Sequence, residues 1–223
     1  MSNPMNKPLD EFPNGRHTQA ERSALSDERM LEIAIRLIVE RGTTKTTLKE
    51  VGELAGYSRS LAGYRFGSKE GLLSFVVHAI SEEWLRELKK VTEGSFGIEA
   101  IRSATDAHYR FCQEAPDHVR AFYILWFESI SPGSEVKEVI TMIHQRRQRD
   151  VIDWIRRDIE AGMIDVNVNV EAAAAQFCSA LVGIVYQWLV NPDSMDEIEE
   201  LHEGLKRSME TLLKSPSISE SIN

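Results

Sequence analysis

Cysteine is scarce in this chain, and so is every feature that marks an enzyme, a metalloprotein or a membrane protein. The two cysteines among 223 residues, Cys112 and Cys178, stand far apart in apolar surroundings. They lack the close spacing of a metal or redox pair and read as free core thiols. No uninterrupted run of about 18 apolar residues occurs and there is no N-terminal apolar h-region, so the expectation is a cytoplasmic protein with no membrane partner. Phosphate loop, nucleophile elbow and HExxH zinc signature are all missing. The expectation is therefore no catalytic residue, no metal and no cofactor. Glu199-x-x-His202 has the spacing of half a di-iron site, but such a site needs a second pair and further carboxylates, and the motif reads as a surface pair.

Positive charge is also short. Lys and Arg total 26 against 35 Asp and Glu, a net charge of -9. The deficit is uneven: residues 1–72 carry eleven basic against ten acidic side chains, and the remaining fifteen against twenty-five hold the acid. A local patch rather than the total decides phosphate binding, so the N-terminal third is where a polyanion would be met. At +1, that third needs a second copy to hold DNA firmly.

What is present is concentrated between Thr43 and Leu72. Thr47 with Glu50 three residues on reads as a capping box, and Leu48, Val51, Leu54 and Ala55 follow at helical spacing. Gly56 ends that helix and Ser58 caps the next. The next, Arg59 to Phe66, is short and mixes Arg59, Ser60, Tyr64 and Arg65 with small Ala62 and Gly63. No acidic residue occurs from Tyr57 to Lys69. Small side chains let a helix lie close to base edges, where arginine reads guanine. Gly67 and Ser68 start a further helix, placing Lys69 and free N–H groups where an anion would bind. An ordinary helical hairpin with a solvated charged face fits the same residues.

The run from Met30 to Leu73, MLEIAIRLIVERGTTKTTLKEVGELAGYSRSLAGYRFGSKEGLL, resembles the DNA-binding domain of the tetracycline-repressor (TetR) family of transcription regulators. An apolar helix ending Arg-Gly, a Thr-rich entry, an acidic helix ending Ala-Gly, Ser-Arg-Ser-Leu, and Tyr-x-Phe-x-Ser-Lys-Glu-x-Leu occur in the family's order. Tyr57 replaces the usual small aliphatic residue, and Arg65 stands where His or Tyr is common. The resemblance implies an all-α homodimer, with an N-terminal three-helix helix-turn-helix domain and a C-terminal helical bundle that dimerises. Its partners would be double-stranded operator DNA and a small-molecule effector that releases a repressor from that operator. DNA contacts are expected from Thr46, Thr47, Ser58, Arg59, Ser60, Ala62, Gly63, Tyr64, Arg65 and Lys69.

Taken in order, residues 1–22 are polar and aperiodic and read as a mobile arm, with Arg16, His17 and Arg22 its basic groups. Residues 23–72 form the DNA-binding domain, its first helix capped by Ser26 with Met30, Ile33, Ala34, Leu37 and Ile38 inward. Residues 73–214 form the sensing and dimerising domain, and 215–223 a tail. A helix from Ser68 to about Val91 joins the two domains. Further helices are expected at Ile98–Glu114, His118–Ser129, Ser134–Ala161, Val170–Val190 and Asp196–Lys214, with VNVNV a loop. Effector-lining candidates are His78, Trp84, His108, Tyr109, Cys112, Phe122, Tyr123, Trp126, Phe127 and Met142, with Phe111 and His144 beside them. Aromatic walls with a few polar groups describe ligand pockets and helical cores alike. The last two helices, through Phe177, Leu181, Ile184, Val185, Trp188, Leu201, Leu205 and Met209, are the expected dimer interface. A helical enzyme and a protein-interaction module without DNA binding are the alternatives.

Overall fold

The computed structural model describes residues 18–134 and 136–214. Among them are nine helices and no strand: α1 Gln19–Arg41, α2 Leu48–Leu54, α3 Arg59–Phe66, α4 Lys69–Thr92, α5 Gly97–Glu114, α6 Pro116–Glu128, α7 Lys137–Glu160, α8 Val170–Val190 and α9 Met195–Lys214. The all-α class and the order of elements match the expectation. The expected arm at Arg16 and His17 and the tail at 215–223 lie outside the described residues.

The first helix starts earlier than its inner cap signal suggests. Thr18 and Glu21 form a full capping box, so Arg22 is already helical. Ser26 is buried inside the helix, its hydroxyl donating to the Ser23 carbonyl. The Thr47 and Glu50 box is half made. Thr47 accepts from the Glu50 N–H, but the Glu50 carboxylate pairs with Arg41 at 2.5 Å, because a cation at the end of α1 attracts it more than a backbone N–H does. Pro116 begins α6 rather than merely ending α5, as its fixed φ and missing N–H suit the first helical position. VNVNV is a loop, and Asn169 caps α8 by accepting from the Ala172 N–H.

Helices α1, α2 and α3 close on a core of Met30, Ala34, Leu37, Ile38, Val51 and Ala62. A Cβ on Gly52 would meet the Ser58 carbonyl oxygen at 3.0 Å and the Ala62 Cβ at 3.2 Å. Small residues at 52 and 62 thus set how closely α2 and α3 cross. Helix α4 leaves this unit and packs on α5, α6 and α7, while α8 and α9 pack on each other and on α7 and α5. The N-terminal unit touches the bundle a second time, where α1 lies along α6. The Thr43 hydroxyl donates to Glu128 at 2.7 Å, and His118 of α6 sits between Glu83 of α4 at 2.7 Å and Glu32 of α1 at 3.2 Å. Two helices, not α4 alone, therefore connect the halves. Helix α8 has the length and hydropathy of a membrane span, but its Ala173, Ala174, Phe177, Ile184, Val185 and Trp188 are buried in the bundle.

Candidate functional site

The outward face of α3 carries the first candidate site. The Ser58 hydroxyl accepts the Leu61 N–H and starts the helix, and Arg59, Ser60 and Tyr64 project outward, Tyr64 at 86% exposure. Gly63 is half-buried beside them, and a Cβ built there meets nothing within 4 Å, so the backbone of α3 is bare on this side. Thr44, Lys45 and Thr47 are exposed next to it. Lys69 leans back to this loop and donates to the Thr44 carbonyl at 3.0 Å.

Three residues expected on this face are used elsewhere. Ala62 is fully buried against Gly52. Thr46 is equally buried, its hydroxyl donating to the Gly42 carbonyl. Arg65 turns away to α1, where it pairs with Asp27 and donates to Ser23. The start of α4 is also partly occupied. The Ser68 hydroxyl accepts from the Gly71 N–H, and hydrogen bonds from its own backbone N–H and from Ser68 hold the Glu70 carboxyl below its usual range. The face that remains is Arg59, Ser60, Gly63 and Tyr64, with Thr47 and Lys69 at its margin: donors, an aromatic ring and a close backbone approach, without a carboxylate. That set suits a nucleic-acid groove.

The second candidate lies inside the bundle. A cavity of about 40 Å3 is walled by Trp84 and Leu88 of α4, Ala104 and His108 of α5, and Trp126 of α6. His144, Arg147, Asp150 and Val151 of α7 and Phe177, Cys178, Leu181 and Val182 of α8 complete it. A smaller void of about 10 Å3 adjoins it, sharing Trp84, His108 and Arg147 and adding Phe111, Phe122 and Tyr123. A water needs roughly 10 to 15 Å3 of such space, so the larger cavity has room for a few waters and must widen for anything bigger.

Of the residues expected to line a pocket, Trp84, His108 and Trp126 meet at the larger cavity and Phe122 and Tyr123 at the smaller. His78 is exposed on α4, and Met142 is exposed on α7. Cys112 is buried away from both linings; burial pushes its thiol up to about 12, and the Cys178 thiol to about 11. The Tyr109 hydroxyl donates to Glu199 at 3.1 Å, and Phe127 packs on Tyr186. The group not anticipated is Arg147. Its guanidinium stacks 5.2 Å from the Phe122 ring centre and 5.3 Å from that of Trp126, and its Nη1 faces the Tyr123 hydroxyl at 3.5 Å. A signal existed: Ile140, His144, Arg147, Val151 and Ile155 follow at helical spacing, which puts one cation in an otherwise inward stripe.

His202 is buried, contrary to the surface reading of Glu199-x-x-His202. Its Nδ1 lies 2.7 Å from the Ile198 carbonyl and its Nε2 lies 2.9 Å from His108 Nδ1. The carbonyl only accepts, so His202 Nδ1 donates to it, neutral His202 Nε2 accepts from His108, and His108 Nε2 is left as an acceptor. Among the described residues no three His, Cys, Asp or Glu side chains converge as a metal would require.

The expected dimer residues are split. Phe177, Ile184, Val185, Trp188, Leu205 and Met209 are buried within the chain, because α8 is central to the bundle and α9 covers it. Leu181 is half-buried at the cavity, and Leu201 is exposed. The apolar surface left outside on these two helices is Tyr186, Val190, Leu201 and Leu212.

Residues 30–75 match the family described as "Bacterial regulatory proteins, tetR family". The probable HTH-type transcriptional regulator ArpR of Pseudomonas putida is 23% identical over 196 residues, covering 85% of this chain and 92% of the relative. A putative TetR-family transcriptional regulator from Rhodococcus sp. superposes with a TM-score of 0.73 at 16% identity, over 86% of this chain and all of that one. FadR from Bacillus subtilis, in complex with stearoyl-CoA, superposes with a TM-score of 0.70 at 16% identity, over 85% and 99% of the two chains.

Proposed function

The chain belongs to the tetR family of bacterial regulatory proteins, and from that premise we propose a cytoplasmic homodimeric repressor that reads its operator with α3 and leaves it when an effector fills the cavity between α4, α5, α7 and α8. The observation that carries the reading is α4. One continuous helix places Lys69 beside the DNA face and Trp84 and Leu88 in the cavity wall. At 1.5 Å per residue it is rigid enough to transmit a shift. An effector that needs a wider cavity binds better to the conformation in which α4 stands off α7. It lowers operator affinity by that differential affinity and no more. The α1 and α6 contact, through Thr43, Glu128 and His118, makes the N-terminal unit follow the bundle instead of swinging freely on α4.

The residues proposed to meet DNA are Arg59, Ser60, Gly63 and Tyr64, with Lys69 and Thr47 toward phosphates. The DNA-binding unit is then about 19–72 and the sensing and dimerising unit 73–214. Fold neighbours at this identity support the architecture, and the complex of one of them with stearoyl-CoA supports effector binding in such a regulator. The chemistry of the site favours a regulator over a helical enzyme: His108, His144, Arg147 and Asp150 stand in a mostly apolar and aromatic lining, and burial keeps its one thiol, Cys178, protonated by pushing it up to about 11. Electrophoretic shift on the DNA upstream of its own coding region tests the proposal. A retarded band that competes with unlabelled specific DNA and not with random DNA is expected. Equal competition by both removes the operator reading.

A further inference from the structure

We infer that the effector is an anion with an apolar body, an aromatic or acyl carboxylate, whose charged group is held by Arg147; the inference rests on the cavity being the effector site. The guanidinium has no carboxylate partner among the described residues. It lies over the rings of Phe122 and Trp126 and makes one long hydrogen bond to the Tyr123 hydroxyl, contacts that hold it in place and leave most of its donors unspent. A planar guanidinium with spare donors matches a carboxylate in charge and geometry.

The other polar groups of the cavity agree in sign. His108 and His144 both line it, and burial together with the Arg147 charge holds both imidazoles below their usual range, so they add no charge and no like-charge competitor. Arg147 is therefore the one cation of the lining, opposed only by Asp150, and a cationic guest placed beside Arg147 would meet like charge in a weakly screened space. Asp150 is the one carboxylate of the lining. It stands at the edge that the cavity shares with the surface groove between α4 and α7, within reach of the charges of Arg146 and Arg149.

That groove, about 450 Å3 between α4 and α7, is the way in. Leu88 and Asp150 belong to both linings, so they form the partition between groove and cavity. Arg86, Lys89, Arg146 and Arg157 on the groove outnumber Glu82, Asp150 and Asp153, a balance that favours an anion over a cation at the entrance. Once inside, the apolar body meets Trp84 and Leu88 of α4 and Leu181 and Val182 of α8.

The test uses the full chain and three probes of one shape: 4-phenylbutyrate, its primary amide, and 4-phenylbutylamine. Binding is followed by calorimetry and by the emission of Trp84 and Trp126, and operator release is followed by anisotropy of labelled DNA. The carboxylate should bind about tenfold or more tighter than the amide, and the amine most weakly, the size expected for one charge-assisted contact. Arg147→Met should bring carboxylate and amide within about twofold of each other by weakening only the carboxylate, since it removes one charge-assisted contact. Asp150→Asn should tighten the carboxylate and leave the amide unchanged. Amide or amine binding as tightly as carboxylate, a carboxylate preference that survives Arg147→Met, or no binding of any probe up to about 1 mM, the weak end of specific affinity, overturns the inference. The wild-type comparison decides the matter even if the Arg147 variant fails to fold. If the amide or amine releases operator, effector gating stands and the anion falls. If the carboxylate preference holds but no probe moves the DNA, the anion site stands and gating falls.

Discussion

Arg59 and Arg65 are both arginines of the same short helix, yet the structure gives them opposite surroundings. Arg59 is exposed with no hydrogen-bond or ion-pair partner among the described residues, while Arg65 is pinned to Asp27 and Ser23 of α1. Arg59→Ala should leave the urea midpoint unchanged and cost about 1 to 3 kcal/mol of operator binding, with specificity relaxed at one base pair. Arg65→Ala removes a partly exposed ion pair and should cost stability by no more than about 1 kcal/mol, with a smaller effect on DNA. The reverse ranking in paired denaturation and anisotropy experiments would show that Arg65 leaves Asp27 to contact DNA. Gly63 allows a cleaner separation. It lies inside α3 with open space where a Cβ would go, so Gly63→Ala should raise stability by about 0.5 to 1 kcal/mol through helix propensity. If the bare backbone of α3 lies against base edges, the added methyl group lowers operator affinity even as the fold gains. Unchanged or tighter operator binding by this more stable variant would exclude the close approach. Composition could point to this face but could not divide its labour. Ala62 and Gly63 are both small, and only the crossing of α2 and α3 at Gly52 decides that one is buried and the other bare. Arg65 could not be separated from Arg59 because its partner, Asp27, lies in a different helix and far off in the chain.

Helix limits were largely legible because Pro116, Gly133, Gly162 and Pro192 punctuate an otherwise periodic chain, and Val170–Val190 falls where its apolar run begins and ends. Which side of that helix faces inward was not legible. A helix apolar all round carries no stripe to orient it, so Phe177 and Trp188 read as partner surface although the bundle buries them. The α5 and α9 contact was missed for a related reason: its polar centre, His108 and His202, is made of two residues that become neighbours only through packing. This pair has a consequence for acid stability. Burial, then the charges of His202 and Arg147, holds His108 well below 6.5, and burial also lowers His202. Below pH 6.5 the unfolded chain takes up protons that the folded pair refuses, so unfolding becomes more favourable as pH falls. The stability these residues confer is complete above that pH and declines from 6.5 toward the depressed folded values. Asp150, whose carboxyl burial raises above 3.8, works with the opposite sign and at the lower end of the range. Urea midpoints should therefore drop between pH 7.5 and 5, and His108→Gln should flatten that drop. An equally steep drop in the variant would place the sensitive groups elsewhere.

At the scale of the whole molecule, charge and surface make the same demand. The N-terminal third carries a net charge of only +1, which gives one copy a poor grip on DNA in ordinary salt. Two copies presenting α3 to half-sites one helical turn apart would meet the need. The face available for pairing is the outer side of α8 and α9, where Tyr186, Val190, Leu201 and Leu212 remain exposed on helices whose inner sides are full. Charge at Leu205 would be a poor probe of that pairing, since Leu205 is buried in the chain and a carboxylate there would unfold the bundle as readily as split a dimer. Gly183 is the better position. It lies in α8 on the exposed side, one turn from Tyr186, and a side chain added there meets nothing within 4 Å in the single chain. Gly183→Arg should leave the monomer as stable or about 1 kcal/mol more so, yet place a guanidinium in the middle of a face that a partner α8 would cover. Light scattering should report a dimer for the unaltered protein at micromolar concentration and a monomer for the variant. Helical content should be unchanged, and operator affinity should fall far below that of the dimer because one half-site contact is lost. A variant that still dimerises would move the interface off this face of α8. An unaltered protein that scatters as a monomer would remove the premise that two weakly charged halves bind together.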